Sequence, residues 1–165
     1  MFYYWKDYEK DIKTPSETIG RFVSGRDNFT KLNLRRPRYI WAFKTPERCK
    51  PSLKGKVQLI ARLVWSEIEV VKLPPSRRKK IKSTAYYDPQ AKNSLIYTNT
   101  DLLPAIDHVT KLVKDQFPET ITSNFIGAIE PMEDDFLKQF NSEIARYVPV
   151  SFWPIGPSVL YRWKK

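Results

Sequence analysis

Tyr39-Ile40-Trp41-Ala42-Phe43 and Lys56-Val57-Gln58-Leu59-Ile60-Ala61-Arg62-Leu63-Val64-Trp65 decide how this chain folds. A turn rich in proline and basic residues, from Thr45 to Gly55, separates the two runs. Both are dense in β-branched and aromatic residues, which suit a pleated, half-buried surface. Two more runs follow: Ile68-Glu69-Val70-Val71-Lys72-Leu73, then Ile81 through Tyr87, closed by Asp88-Pro89. Between them lies a basic loop, Pro74-Pro75-Ser76-Arg77-Arg78-Lys79-Lys80. The pattern predicts a twisted, mainly antiparallel sheet or a small β-barrel, against which the other segments pack. Alternation puts Tyr39 and Trp41 on one face and Ile40 and Ala42 on the other.

Towards the N-terminus, Phe2-Tyr3-Tyr4-Trp5 reads as a strand buried on both faces or a segment packed on a groove. Thr14-Pro15-Ser16-Glu17 has the layout of a helix start, while Thr18 to Val23 reads equally well as extended. Gly25-Arg26-Asp27-Asn28-Phe29 is a turn signal, because Gly and Asn both tolerate positive φ. Leu32, Leu34 and the basic cluster Arg35-Arg36-Pro37-Arg38 come next.

On the C-terminal side, Asn93-Ser94-Leu95-Ile96-Tyr97 predicts a short strand. Leu102, Leu103, Ile106, Val109, Leu112, Val113 and Phe117 follow a 3.6-residue period, which predicts a helix capped by Thr100 or Asp101 and stopped by Pro118. A second helix is predicted from Pro131, with an acidic first turn at Glu133-Asp134-Asp135 that suits the helix dipole. Its stripe is Met132, Phe136, Leu137, Phe140, Ile144 and Tyr147. From Val148 to Lys165 the chain reads as irregular or edge structure. The domain expectation is one α+β domain over 1–165, with 131–165 a C-terminal helix and irregular extension.

A chain of 165 residues with 41% apolar content can bury a core of about two-thirds of its extended surface. No apolar run approaches the ~20 residues of a membrane helix, so no membrane partner is expected. A single cysteine, Cys49, excludes an internal disulfide and a multi-cysteine zinc site. That residue usage, with no secretory layout at the start, points to a reducing, cytoplasmic location. Charge is more informative. Residues 1–100 carry 22 Lys and Arg against 9 Asp and Glu, whereas residues 101–165 carry 7 against 9. The whole net charge of +11 therefore comes from the part read as sheet and loops, and such segregation points to a polyanion, DNA or RNA.

The single histidine, His108, sits mid-helix beside core positions and reads as structural or surface. With no second histidine there is no Ser–His–Asp or Cys–His set, and no glycine-rich phosphate loop occurs. No catalytic residue, metal ligand or cofactor is therefore assigned. Glu67 and Glu69 would share a face of an extended segment, and Asp11-Ile12-Lys13 superficially resembles half of a nuclease motif. These leave a metal-dependent nuclease or nucleotide-modifying enzyme as the rival reading, and a module docking an acidic protein as a third. Aromatics interleaved with basic residues favour binding: bases stack on rings while Lys and Arg hold phosphates. The phosphate-binding candidates are Arg26, Arg35, Arg36, Arg38, Arg77, Arg78, Lys79 and Lys80.

With these residues placed, the chain resembles the PUA-like superfamily, nearest to EVE-type domains and more distantly YTH domains. Gly25-Arg26-Asp27-Asn28-Phe29 is similar to the Gly-x-x-Asn-aromatic turn of EVE domains, and Tyr39 to Phe43 to their aromatic-ended strand. Val57 to Trp65 matches the following strand with small residues, and Tyr86-Tyr87-Asp88-Pro89 the Tyr-Asp-Pro. The resemblance covers roughly residues 20–97. It implies a PUA-like barrel with peripheral helices and a pocket that takes a base, often a modified one, flipped from its strand. Asn28, Trp41, Trp65 and Tyr87 are the expected base pocket. A partner motor or nuclease subunit is a further candidate companion.

Overall fold

The computed structural model describes residues 1–5, 20–24, 27–46, 53, 55–67, 83–116 and 134–152. The two deciding runs form β3 (Tyr39–Lys44) and β4 (Gln58–Ser66), paired antiparallel. Around them lie β1 (Phe2–Tyr4), β2 (Gly20–Ser24), β5 (Ser83–Asp88), β6 (Leu95–Tyr97) and β7 (Pro149–Ser151). The described helices are α1 (Asp27–Leu34), α2 (Leu103–Gln116) and α3 (Asp134–Ile144). The fold is thus α+β: a seven-stranded sheet in the order β1-β3-β4-β5-β2, with β6 and β7 branching from β4. β1 runs parallel to β3, and the other pairings are antiparallel.

The branch arises because β4 shares one edge between two partners. Its Ala61 and Arg62 pair with β6, and its Val64, Trp65 and Ser66 pair with β5. Where the edge splits, the ladder would leave backbone groups unpaired, which is costly in a buried position. Ser94, fully buried, fills that gap. Its hydroxyl accepts from the Val64 N–H at 3.0 Å and donates to the Asp88 carbonyl at 2.5 Å, tying the branches together. The Asp88 carboxylate in turn accepts from the N–H groups of Gln90 and Ala91, so the expected turn after β5 forms at Asp88-Pro89.

A register shift between Ala42 and Phe43 makes Ile60 an extra residue in β4, a bulge that bends the strand. Ile60 and Ala61 accordingly join the same inner cluster. Small side chains on that face (Ala42, Ala61, Ala85) leave room for Trp5, Phe22 and Tyr87, and the sheet curls around them. Hydrogen bonding leaves the sheet open, yet its two end strands meet through side chains: Tyr3 of β1 stacks on Phe22 of β2 at 4.1 Å. Gly20 is obligatory in this arrangement. A Cβ there would fall 2.0 Å from the ring of Tyr87, which is itself held by Phe22, Trp5 and Phe152.

The outer face is covered by α2 and α3. Val109 and Val113 of α2, and Phe140 and Ile144 of α3, pack on Phe2, Trp41, Phe43, Leu59 and Tyr97. Thr110 fastens α2 to the start of β4 by accepting from the Val57 N–H at 3.0 Å, and Lys56 pairs with Asp107. Phe2 and Trp5 lie in different clusters, so the N-terminal strand is buried on both faces, the first of its two expected readings.

Several expectations need correction. The stretch Asp27–Leu34 is helix α1, not the second half of a turn. Asp favours a helix N-terminus as readily as a turn, and Leu32 anchors the helix in the inner cluster. Thr100 does not cap α2: its hydroxyl donates to the Leu59 and Tyr97 carbonyls, inside the sheet. Leu102 and Leu103 are exposed at the entrance of α2, while Ile106, Val109 and Val113 carry the burial. The segment after α3 needs no such correction: it adds β7 as an edge strand, one of its two expected readings, and places Phe152 in the inner cluster. The helix start at Thr14 to Glu17, the run at 68–73, Phe117 and the Pro131–Met132 start lie outside the described residues.

Candidate nucleic-acid interface

Helix α1 ends in a way that thrusts its basic tail outward. The N–H groups of Arg35 and Arg36 close on the carbonyls of Leu32 and Asn33, at 3.2 and 3.0 Å. Arg36 then adopts a left-handed conformation, φ 51°, and Pro37 forbids further helix. Arg35, Arg36 and Arg38 are all exposed on this connection, as expected of phosphate-binding groups. Arg36 meets Glu67 at 3.0 Å, so this carboxylate of the rival nuclease reading is engaged by a surface cation. Arg26, Arg77, Arg78, Lys79 and Lys80 lie outside the described residues, as do Glu69, Asp11 and Lys13.

The connection leads onto the outer face of the sheet, where a cation–aromatic stack stands. Arg38 lies 5.2 Å from the Tyr39 ring centroid, and Arg62, on β4, lies 4.8 Å from that ring and 5.5 Å from Trp41. Register explains the grouping: Arg62 is the cross-strand partner of Trp41, and Tyr39 is its diagonal neighbour. Trp41 continues inward to Tyr97 and Phe140. Burial pushes the Tyr97 hydroxyl up to about 12, with the Arg62 charge opposing the shift.

The four residues expected to form a base pocket are not gathered in one place. Trp41, 2% exposed, belongs to the outer cluster. Trp65 and Tyr87 belong to the inner face, and Tyr87, 6% exposed, already stacks on Phe22 at 4.8 Å. Adjacent strands do bring Trp41 and Trp65 close in the sheet, but the pleat sends them to opposite sides. Asn28 falls in the first turn of α1. Trp65 alone of the three aromatics keeps exposed surface, and its indole N–H donates to Asn33 Oδ1 at 2.9 Å. Asn33 Nδ2 in turn donates to the Thr84 carbonyl at 2.8 Å, locking α1 to β5 and fixing the tryptophan.

Two residues central to this surface, Tyr39 and Asn33, and a third, Arg62, stand outside the sequence-derived site. The strand register was the missing information for Tyr39 and Arg62, and the unrecognised helix for Asn33. His108, midway along α2, reaches the C-terminal end of α3: its Nδ1 meets the Tyr147 hydroxyl at 2.7 Å and its Nε2 meets Glu143 at 3.2 Å. Burial raises the Tyr147 pKa, Arg146 lowers it and Glu143 raises it. Among the described residues no cluster of three His, Cys, Asp or Glu could hold a metal ion, and no helix is long and apolar enough to cross a membrane. No protein-family model, curated protein or solved structure matches the chain.

Proposed function

We propose that this chain is a nucleic-acid-binding module on a PUA-like curled sheet, reading a strand of DNA or RNA without chemistry on it. The observation that carries the proposal is the exposed row Arg35, Arg36 and Arg38, continuous with Arg62 on the outer face. A row of guanidiniums at the rim of a rigid sheet is suited to successive phosphates, which supply affinity and position but no sequence information. The segregation of all net positive charge into residues 1–100 supports the same reading. Base discrimination, including that of a modified base, is assigned to Trp65, the one tryptophan of the expected pocket with both exposed surface and a fixed ring plane.

The test is binding of single-stranded and duplex oligonucleotides across a salt series. Each phosphate contact adds about −0.7 to the logarithmic slope on a single strand and about −0.9 on B-DNA. Alanine at Arg35, Arg36 and Arg38 together flattens the slope by roughly the share of three contacts while the thermal melt stays in place. A slope that does not change in this triple variant, or no binding by the unaltered protein, refutes the proposal.

A further inference from the structure

Arg62 is unusual among the basic residues described here. It sits on a central strand, half-buried, with its Nε buried and lacking a hydrogen-bond partner. Neither Arg62 nor Arg38 forms an ion pair among the described residues, although both guanidiniums lie about 5 Å from the Tyr39 ring. Two like charges beside one ring, one partly desolvated and without a counter-ion, are unfavourable in the free protein. The aromatic faces of Tyr39 and Trp41 offset part of that cost and hold the Arg62 plane in place. With Nε buried, the Nη1–Nη2 end is the part of the fork left to meet a ligand. That end matches two oxygens of a tetrahedral oxyanion.

We infer that Arg62 is a pre-organised, end-on receptor for a phosphate group of the nucleic-acid strand, with Arg38 as the second cation and Tyr39 as the spacer between them. This rests on the nucleic-acid reading above and adds to it a residue that the exposed row does not contain. The aromatics Tyr39 and Trp41 then serve as the bed of a guanidinium rather than as stacking platforms for bases. The phosphate comes from an internal diester, with two non-bridging oxygens, or from a phosphorylated strand end, with three; either offers the pair of oxygens that the fork takes.

The experiment measures affinity for one single-stranded oligonucleotide, with and without a 5′-phosphate, in the unaltered protein and in Arg62→Gln, Arg62→Lys and Arg38→Gln, with melts recorded for each. Loss of one charge-assisted bidentate contact is expected to weaken binding about tenfold in Arg62→Gln. The salt slope falls by about 0.7 in the same variant. Arg62→Lys restores the slope but only part of the affinity, because a point charge cannot use both oxygens. Arg38→Gln, at an exposed position that folding does not depend on, weakens binding in the same direction. Equal losses on both oligonucleotides assign the site to an internal diester, and a loss confined to the 5′-phosphorylated one assigns it to the strand end. If Arg62→Gln binds with unchanged slope and affinity, Arg62 merely covers Trp41 and the inference is overturned, while the nucleic-acid reading stands. If the unaltered protein binds neither oligonucleotide, that reading itself fails and takes this inference with it.

Discussion

On the inner face of the sheet, Trp5, Phe22 and Tyr87 pack against one another over a floor of alanines. On the outer face Trp41 is as deeply buried, yet it lies beneath Arg62 and next to the exposed basic row. The two faces use the same aromatic residues for different ends. Inside, ring packs on ring: Phe22 stacks on Tyr87 and Trp5 meets Phe22 edge-on. Outside, rings support a cation whose charge no carboxylate among the described residues balances. A tryptophan beside arginine in a sequence is therefore not by itself a stacking platform; what matters is which face it takes and what already covers it.

That contrast can be broken most directly with core truncations. Phe22→Ala and Trp41→Ala are each expected to lose ~3–5 kcal/mol in urea unfolding, because both rings are fully buried despite lying on opposite faces. Trp65→Ala, at a half-buried site, loses distinctly less. A Trp41 variant that unfolds at the midpoint of the unaltered protein would mean that the outer ring is not core.

The seam where the branches part comes next. Ser94→Ala leaves the Val64 N–H and the Asp88 carbonyl without this partner, a cost of about 2–4 kcal/mol for two part-buried polar groups. Hydrogen exchange at the Val64 amide reports the opening directly. Unchanged protection there would show that the fork does not depend on the serine.

The third test sharpens the outer face through pH. The Tyr97 hydroxyl is raised to about 12, chiefly by burial, against an ordinary value of 10.0. Between these values the unfolded chain releases its proton and the folded one keeps it. The stability this group contributes is therefore complete below pH 10 and is lost as pH rises towards 12, roughly 2–3 kcal/mol in all. Tyr97→Phe should remove that part of the alkaline loss, followed by unfolding free energy against pH. An identical alkaline profile in both proteins would place the titrating group elsewhere.

The smallest expected effect belongs to the surface. Arg36 and Glu67 are 71% and 62% exposed, so Glu67→Gln costs under about 1 kcal/mol by thermal melt. The same substitution frees Arg36 for phosphate and is expected to raise oligonucleotide affinity slightly. A drop in affinity would argue that Glu67 belongs to the binding surface.

Local pattern carried much of this fold. The runs at 39–43 and 56–65 are strands because their residues suit a pleat, and 3.6-residue spacing marked Ile106, Val109 and Val113 as the buried stripe of α2. Charge segregation, too, is a property of the linear chain. Tertiary structure alone decided the rest, because it depends on pairs distant in sequence. The bulge at Ala42/Phe43 and the pairing of Trp41 with Arg62 set which aromatics face the same way, and a shift of one residue would have reversed them. The helix at Asp27–Leu34 escaped local reading since its residues favour turns and helix starts alike, and only Leu32 in the core and Asn33 on Trp65 and Thr84 select the helix. Composition makes tryptophans and arginines neighbours in sequence, but only packing determines whether a given ring is sealed in the interior, as Trp41 is, or left at the surface with a fixed plane, as Trp65 is.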